Sequence, residues 1–299
     1  MPKNKRITLD EMELSIGKKT RLHRLLYDHG PGNGTMMLLP LDQGFEHGPR
    51  DFFDNPASAD PEYELQLALD CNFSGIVLGV GLAKKYMRKY AGKVPLVVKL
   101  NSKTEIPSDA EAFSPQTTTL EEAVALGADA VGYTLYVGSP AQDRDFIQFM
   151  HIRDAAEKLG MPVIVWAYPR GAAVEAKGGR DSLYAIDYAA RVACELGADV
   201  IKLNLPVINP EKDRLALKPY NTLQVTEDEA MAMVVKSAGR SMVLLSGGSR
   251  ISDEQLFAKA RVALDAGATG FIFGRNVWQR PTDKAKEVVA KLIELLRQS

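Results

Sequence analysis

Eight short apolar runs, rich in β-branched and aromatic residues, recur along the chain. They are MMLLPLD at 36–42, GIVLG at 75–79, LVVKLN at 96–101, AVGYTLY at 130–136, VIVWAYP at 163–169, VIKLNLP at 200–206, MVLLSGG at 242–248 and GFIFGRN at 270–276. Near-continuous apolarity over so few residues predicts strands covered on both faces, the situation of a parallel sheet. Parallel neighbours need crossover connections, and the intervening segments supply them. LEEAVALGA, AAEKLG, YAARVACELGA and LFAKARVALDAGA space apolar residues by three and four and carry a glycine near the end that suits a left-handed cap. Eight βα units, with strand starts roughly twenty to forty residues apart, predict one closed (β/α)8 TIM barrel rather than an open doubly wound sheet.

The barrel is expected over residues 36–299. Residues 1–35 read as a helical extension, with one helix around Leu9 to Ile16 and another around Thr20 to Tyr27, ending in the turn PGNG. Its expected place is over the bottom of the barrel or at an oligomer contact. The tail DKAKEVVAKLIELLRQS reads as the last amphipathic helix. With 37 basic and 38 acidic residues the net charge is −1, so no overall field draws the protein to nucleic acid or an anionic membrane. Cys71 and Cys194 are the only cysteines; far apart, they read as two buried apolar thiols and not as a disulfide or zinc framework. The polar N-terminus lacks a signal-peptide core and no apolar run reaches membrane length, so a cytoplasmic address is the expectation.

In such barrels the chemistry sits at the C-terminal ends of the strands, and polar residues cluster at those ends here. Lys99 and Lys202 each fall inside an apolar strand within the tripeptide Lys-Leu-Asn, where a charge is costly to bury without a partner or a purpose. A desolvated lysine beside another cation loses its proton more readily, and its amine can attack a carbonyl to form a Schiff base. The resulting iminium is an electron sink that makes a neighbouring carbon–carbon bond breakable. Pairing with a carboxylate or snorkelling to the barrel mouth is the competing explanation, and the pattern leaves open which lysine is the nucleophile.

Trp166 and Tyr168 stand two apart on one strand, so they share a face; the tyrosine suits proton transfer and the tryptophan a pocket wall. A core tyrosine with a satisfied hydroxyl is the plainer alternative. Asp42, which ends the first strand, ranks above His47 and Glu46 as a group that orients or exchanges protons with substrate hydroxyls. Ser246, Gly247 and Gly248 after the seventh strand, with Gly274 and Arg275 after the eighth, are what a barrel phosphate site requires: open backbone N–H groups and a guanidinium fork. Arg170 and Arg250 are candidates for a second anion.

Together, LPLDQGFEHGP, VIVWAYPRG, VIKLNLP, LLSGGSR and GFIFGRNVWQRP resemble, in order, the strand-end motifs of the archaeal-type class I fructose-bisphosphate aldolases, the DhnA family, from about residue 36 to 281. The resemblance implies that Lys202 is the Schiff-base lysine, Tyr168 the acid/base tyrosine, Trp166 a pocket residue and Asp42 the strand-one aspartate. It implies that Ser246, Gly247, Gly248, Gly274 and Arg275 form the phosphate-binding loops, and His47 and Lys99 are expected beside them as substrate-binding residues. The implied reaction is reversible cleavage of fructose 1,6-bisphosphate to dihydroxyacetone phosphate and glyceraldehyde 3-phosphate, without metal or other cofactor. It also implies a homo-oligomer, with a decamer of stacked pentamers as the form to look for. Leu41 departs from the aromatic residue expected there in many relatives.

The competing expectations are a Schiff-base synthase of the amino-deoxy-heptulosonate type, a thiolase on a phosphorylated substrate, and a silent barrel that only binds a sugar phosphate. A metal-dependent barrel is weaker, because His23, His29, His47 and His151 include no pair at helical metal-ligand spacing.

Overall fold

The computed structural model describes residues 5–299. All eight apolar runs are strands: β1 Met36–Pro40, β2 Gly75–Gly79, β3 Leu96–Lys99, β4 Ala130–Val137, β5 Val163–Pro169, β6 Val200–Leu203, β7 Met242–Ser246 and β8 Gly270–Ile272. Each pairs in parallel with its neighbour in sequence, and β1 pairs with β8 through Met36↔Gly270 and Leu38↔Ile272, which closes the barrel. The helix-period segments form Leu120–Ala125, Gln142–Lys158, Leu183–Glu195, Asp253–Asp265 and Thr282–Gln298 on the outside. Each of the first four ends at a glycine with positive φ (Gly127, Gly160, Gly197, Gly267), the cap expected from the sequence.

Burial divides into two clusters. The outward faces of the strands pack on the helices, with Phe149, Ile186, Val234, Leu256 and Leu292 among the buried contributors. The inward residues near the strand starts, among them Met36, Val77, Val97, Ile164, Val200 and Met242, pack instead on Leu22, Leu25 and Leu26 of the N-terminal segment. That segment therefore plugs the bottom of the barrel.

Its local structure differs from the sequence reading. The first expected helix is a single 3-10 turn, Leu9–Glu11: Thr8 and Glu11 cap its start, but the chain is extended again at Met12. The second starts earlier, at Ile16 behind an extended Ser15, runs to His23 and continues as a wider turn over Arg24–Asp28. The cysteines also differ: Cys71 and Cys194 are half-buried at the edge of the outer cluster and not enclosed in it. Burial still pushes the Cys71 thiol up to about 11.

The plug is fastened by charge as well as by apolar packing. Lys18 lies 2.8 Å from Glu157 and 3.1 Å from Asp199, and Asp199 also accepts the Val163 N–H at the start of β5. Burial disfavours the Lys18 ammonium, but the two carboxylates outweigh it and hold the group above the ordinary lysine range. The Lys18 charge therefore contributes stability at neutral pH that is lost as pH rises through its folded-state pKa, while burial holds Asp199 above the ordinary carboxylate range in spite of Lys18 and opposes that gain. Lys18→Met leaves Asp199 buried without its cation and is expected to cost about 3 kcal/mol of unfolding free energy at pH 7. Urea titration checks this; a loss under about 1 kcal/mol would show that the buried carboxylate is satisfied without Lys18.

Candidate active site

The opposite end of the barrel is open. A cleft of about 640 Å³ is lined by Asp42, Gln43, Glu46 and His47 after β1, Trp166, Tyr168 and Arg170 of β5 and its end, Lys202 and Asn204 at β6, Ser246, Gly247 and Gly248 at β7, and Gly274 and Arg275 at β8. Strand alternation explains the composition: Trp166 and Tyr168 are two apart, as are Lys202 and Asn204, so each pair faces inward together. The register places Trp166 beside Thr134 on one side and Lys202 on the other.

Lys202 sits at the cleft floor with 5% of its surface exposed. Its Nζ lies 4.9 Å from the Trp166 ring centroid and 5.4 Å from that of Tyr168, an aromatic wall that steadies a cation or iminium. The Tyr168 hydroxyl is 3.4 Å from Ser246 Oγ, so the phenol bridges β5 and β7 above the lysine strand.

Lys99 is close to this group but does not line the cleft. It is 3% exposed, with Nζ 5.0 Å from the same Trp166 ring, donating to Thr134 Oγ1 at 2.7 Å and 3.6 Å from Asp42. Burial pushes its ammonium below the ordinary lysine range and the Lys202 charge adds to this, while Asp42 and Glu46 pull the other way. Gly132 makes this stacking possible, since a Cβ there would lie 2.5 Å from the indole and 3.1 Å from Lys99 Cδ.

The β7 and β8 ends meet at the rim of the cleft. Gly248 has φ +64, which favours glycine, and Asn276 Nδ2 donates to the Gly247 and Ser249 carbonyls, tying the two loops together. At Gly274 a Cβ would lie 2.6 Å from Gln43 Nε2 and 2.9 Å from the Pro40 carbonyl, so the ends of β1 and β8 can pack together only because the side chain is missing. Arg275 projects beside them, 3.5 Å from His47 Nδ1 and 3.6 Å from Asp51. His47 Nδ1 is 2.6 Å from the Asp51 carboxylate, which accepts its proton and thereby assigns the tautomer. Burial alone would raise Asp51; the hydrogen bond from His47 and the charges of His47, Arg275 and Arg50 hold it below the usual carboxylate range instead.

Of the residues expected from sequence, Asp42, His47, Trp166, Tyr168, Lys202, Ser246, Gly247, Gly248, Gly274 and Arg275 converge on the one cleft. Sequence reading passed over Gln43, Asn204, Thr134 and Asp51. Asn204 carries the same two-residue signal as Trp166 and Tyr168, and Asp51 stands four residues after His47, so both were recoverable. Thr134 matters only through the folded register. Among the described residues, no three His, Cys, Asp or Glu side chains are grouped so as to hold a metal.

A lysine at the floor of a barrel cleft, an aromatic wall and glycine-rich ends on the last two strands are the parts of a Schiff-base aldolase. The model of the DeoC/LacD family aldolases matches residues 36–280, the whole of the barrel up to the last helix. This chain belongs to that family. The chain is 42% identical to the class 1 fructose-bisphosphate aldolase of Thermoproteus tenax over 248 residues, 83% of this chain and 84% of that one, and so falls within the archaeal-type class I aldolases. In three dimensions it is similar to an archaeal fructose-1,6-bisphosphate aldolase whose catalytic lysine is bound to the carbinolamine intermediate of the substrate. That match has a TM-score of 0.78 and 38% identity, and covers 92% of this chain and 99% of that one. A fructose-bisphosphate aldolase from Slackia heliotrinireducens superposes with a TM-score of 0.83 at 28% identity, over 98% of this chain and 92% of that one. No helix among the described residues is long and apolar enough to cross a membrane.

Proposed function

We propose that this aldolase cleaves fructose 1,6-bisphosphate reversibly through a Schiff base on Lys202. The observation that carries the reading is the position of Lys202 Nζ under Trp166 and Tyr168, in the same cleft as the Gly247–Gly248 and Gly274–Arg275 cradle. With one phosphate in the cradle, the neighbouring ketone carbon is offered to Lys202. The amine adds to C2, the carbinolamine loses water, and a protonated imine forms. Tyr168, acting as phenolate, takes the proton of the C4 hydroxyl and becomes the neutral phenol, the C3–C4 bond breaks, and its electron pair moves into the iminium to give an enamine. Glyceraldehyde 3-phosphate departs. Protonation of the enamine at C3 and hydrolysis of the imine release dihydroxyacetone phosphate and restore the free lysine.

Asp42, with Lys99 behind it, is assigned to orienting substrate hydroxyls, and His47 to supporting Arg275 at the phosphate. Lys99 serves the site from beside the indole as a charge on Trp166 and Asp42. A cytoplasmic address and a homo-oligomer belong to the same reading. The oligomer is supported by the exposed apolar side chains Ile147, Met150 and Tyr188 on the outer helices Gln142–Lys158 and Leu183–Glu195.

Borohydride reduction in the presence of dihydroxyacetone phosphate tests the mechanism. Intact mass is expected to rise by one reduced triose phosphate, with the modified peptide carrying Lys202. A protein that stays unmodified, or is modified at Lys99, would overturn the assignment.

A further inference from the structure

A second group of charges lies at the barrel mouth beyond the cradle. Arg170 Cζ lies 5.3 Å from the centroid of the same Tyr168 ring that Lys202 Nζ approaches to 5.4 Å, so the two cations are no more than about 11 Å apart. A six-carbon chain attached at its second carbon to Lys202 can bring its far phosphate to the guanidinium. Two further cations stand with Arg170, each from a different part of the chain. Lys103 follows β3, and Arg180 precedes the helix Leu183–Glu195.

All three meet one carboxylate. Asp109 Oδ1 is 2.8 Å from Lys103 Nζ, and its Oδ2 is 3.0 Å from Arg170 Nε and 3.5 Å from Arg180 Nη1. Among the described residues one other acid reaches these cations, Glu175, 4.0 Å from Arg180 at the edge of the group. Two of the cations are the more firmly held partners: Lys103 and Arg170 are 12% and 17% exposed, and Arg170 also donates to the Pro169 carbonyl at 2.8 Å and rests on the rings of Tyr136 and Tyr168, while Arg180 is 48% exposed. Asp109 is 38% exposed and opens the short 3-10 turn Asp109–Glu111. Burial alone would raise Asp109, but the hydrogen bond from Lys103 and the charge of Arg170 hold it below the usual carboxylate range, so it is ionised at neutral pH.

We propose that the Asp109 carboxylate occupies the place of the substrate's distal phosphate, and that a bisphosphate binds by displacing it from Lys103, Arg170 and Arg180. This rests on the bisphosphate reading above. A phosphate carries more charge than a carboxylate and three acceptor oxygens, so it pairs better with three cations. A ligand with a single phosphate leaves Asp109 where it is, and the cations stay paired. Asp109 is thus a specificity-determining residue, setting how much the second phosphate adds to binding.

The test uses two ligands without a reactive carbonyl, a hexitol 1,6-bisphosphate and the matching hexitol 1-phosphate, titrated calorimetrically into the whole chain at low salt. Asp109→Asn, nearly isosteric, and Asp109→Ala are compared with wild type. Both variants are expected to bind the bisphosphate about fivefold more tightly, the effect of removing one competing ion pair, and the monophosphate with unchanged affinity. Weaker bisphosphate binding in both would overturn the proposal, because Asp109 would then be holding the cations in position. Unchanged bisphosphate binding, or equal tightening of both ligands, would overturn it too. Failure of the borohydride trap on wild type alongside selective tightening would instead sink the Schiff-base reading and leave this one standing.

Discussion

Lys202→Met is expected to lower fructose 1,6-bisphosphate cleavage by about 10⁵-fold while leaving the protein folded and able to bind phosphate. Methionine keeps the length and the apolar stem of lysine, so the wall of Trp166 and Tyr168 stays packed. What it loses is the amine, and without it no iminium can accept the electron pair of the breaking bond. Stability should hold or rise. The wild-type ammonium is 95% removed from solvent on an apolar strand, and its contacts with two aromatic rings return only about 0.5–2 kcal/mol of that desolvation. Sites that strain the fold for chemistry commonly gain stability when the chemistry is removed. Lys99 is not expected to take over, because it does not line the cleft and its Nζ donates to Thr134 Oγ1. Steady-state cleavage, borohydride trapping and thermal unfolding would be measured together. Activity within a hundredfold of wild type, with an adduct on Lys99, would move the nucleophile to β3.

The sequence made the barrel legible because its signal is local and repeated. Eight buried strands must each be apolar on both faces, and each helix must end before the next strand, so glycine falls at predictable places. The strand ends were legible for the same reason: polar residues such as Lys202 or Gly247–Gly248 in an apolar context have few structural explanations. Residues 5–15 were less legible. The apolar spacing of Leu9, Met12 and Ile16 suggests a helix, but the chain behind the Thr8–Glu11 capping box is extended again at Met12 after a single turn, and the position of Lys18 against Asp199, 181 positions away, is a tertiary fact. Lys99 and Lys202 illustrate the limit most sharply. Both sit in the same tripeptide on buried strands, and periodicity cannot separate them. The folded chain gives them different surroundings: Lys202 lines the cleft, whereas Lys99 does not and donates to Thr134, although both Nζ atoms lie near the Trp166 ring.

Tyr168→Phe is expected to cost about 10²- to 10⁴-fold in kcat, the range for loss of one positioned proton-transfer group. The substitution removes only the hydroxyl. Its ring stays over Lys202, so the imine still forms, and borohydride with dihydroxyacetone phosphate should still label Lys202. KM should change little, since the phosphate cradle of Gly247, Gly248, Gly274 and Arg275 is untouched. The hydroxyl's contact in the folded chain, 3.4 Å from Ser246 Oγ, is long for a hydrogen bond, so the phenol is not committed to a structural partner and is available to a substrate hydroxyl. Ser246→Ala should accordingly cost far less than Tyr168→Phe. If instead the phenylalanine variant cleaves within about threefold of wild type, the C4 proton leaves by another route, and Asp42 or Glu46 across the cleft becomes the base to test. If trapping falls in step with kcat, the phenol acts earlier, in the loss of water from the carbinolamine, and bond cleavage needs a different acceptor.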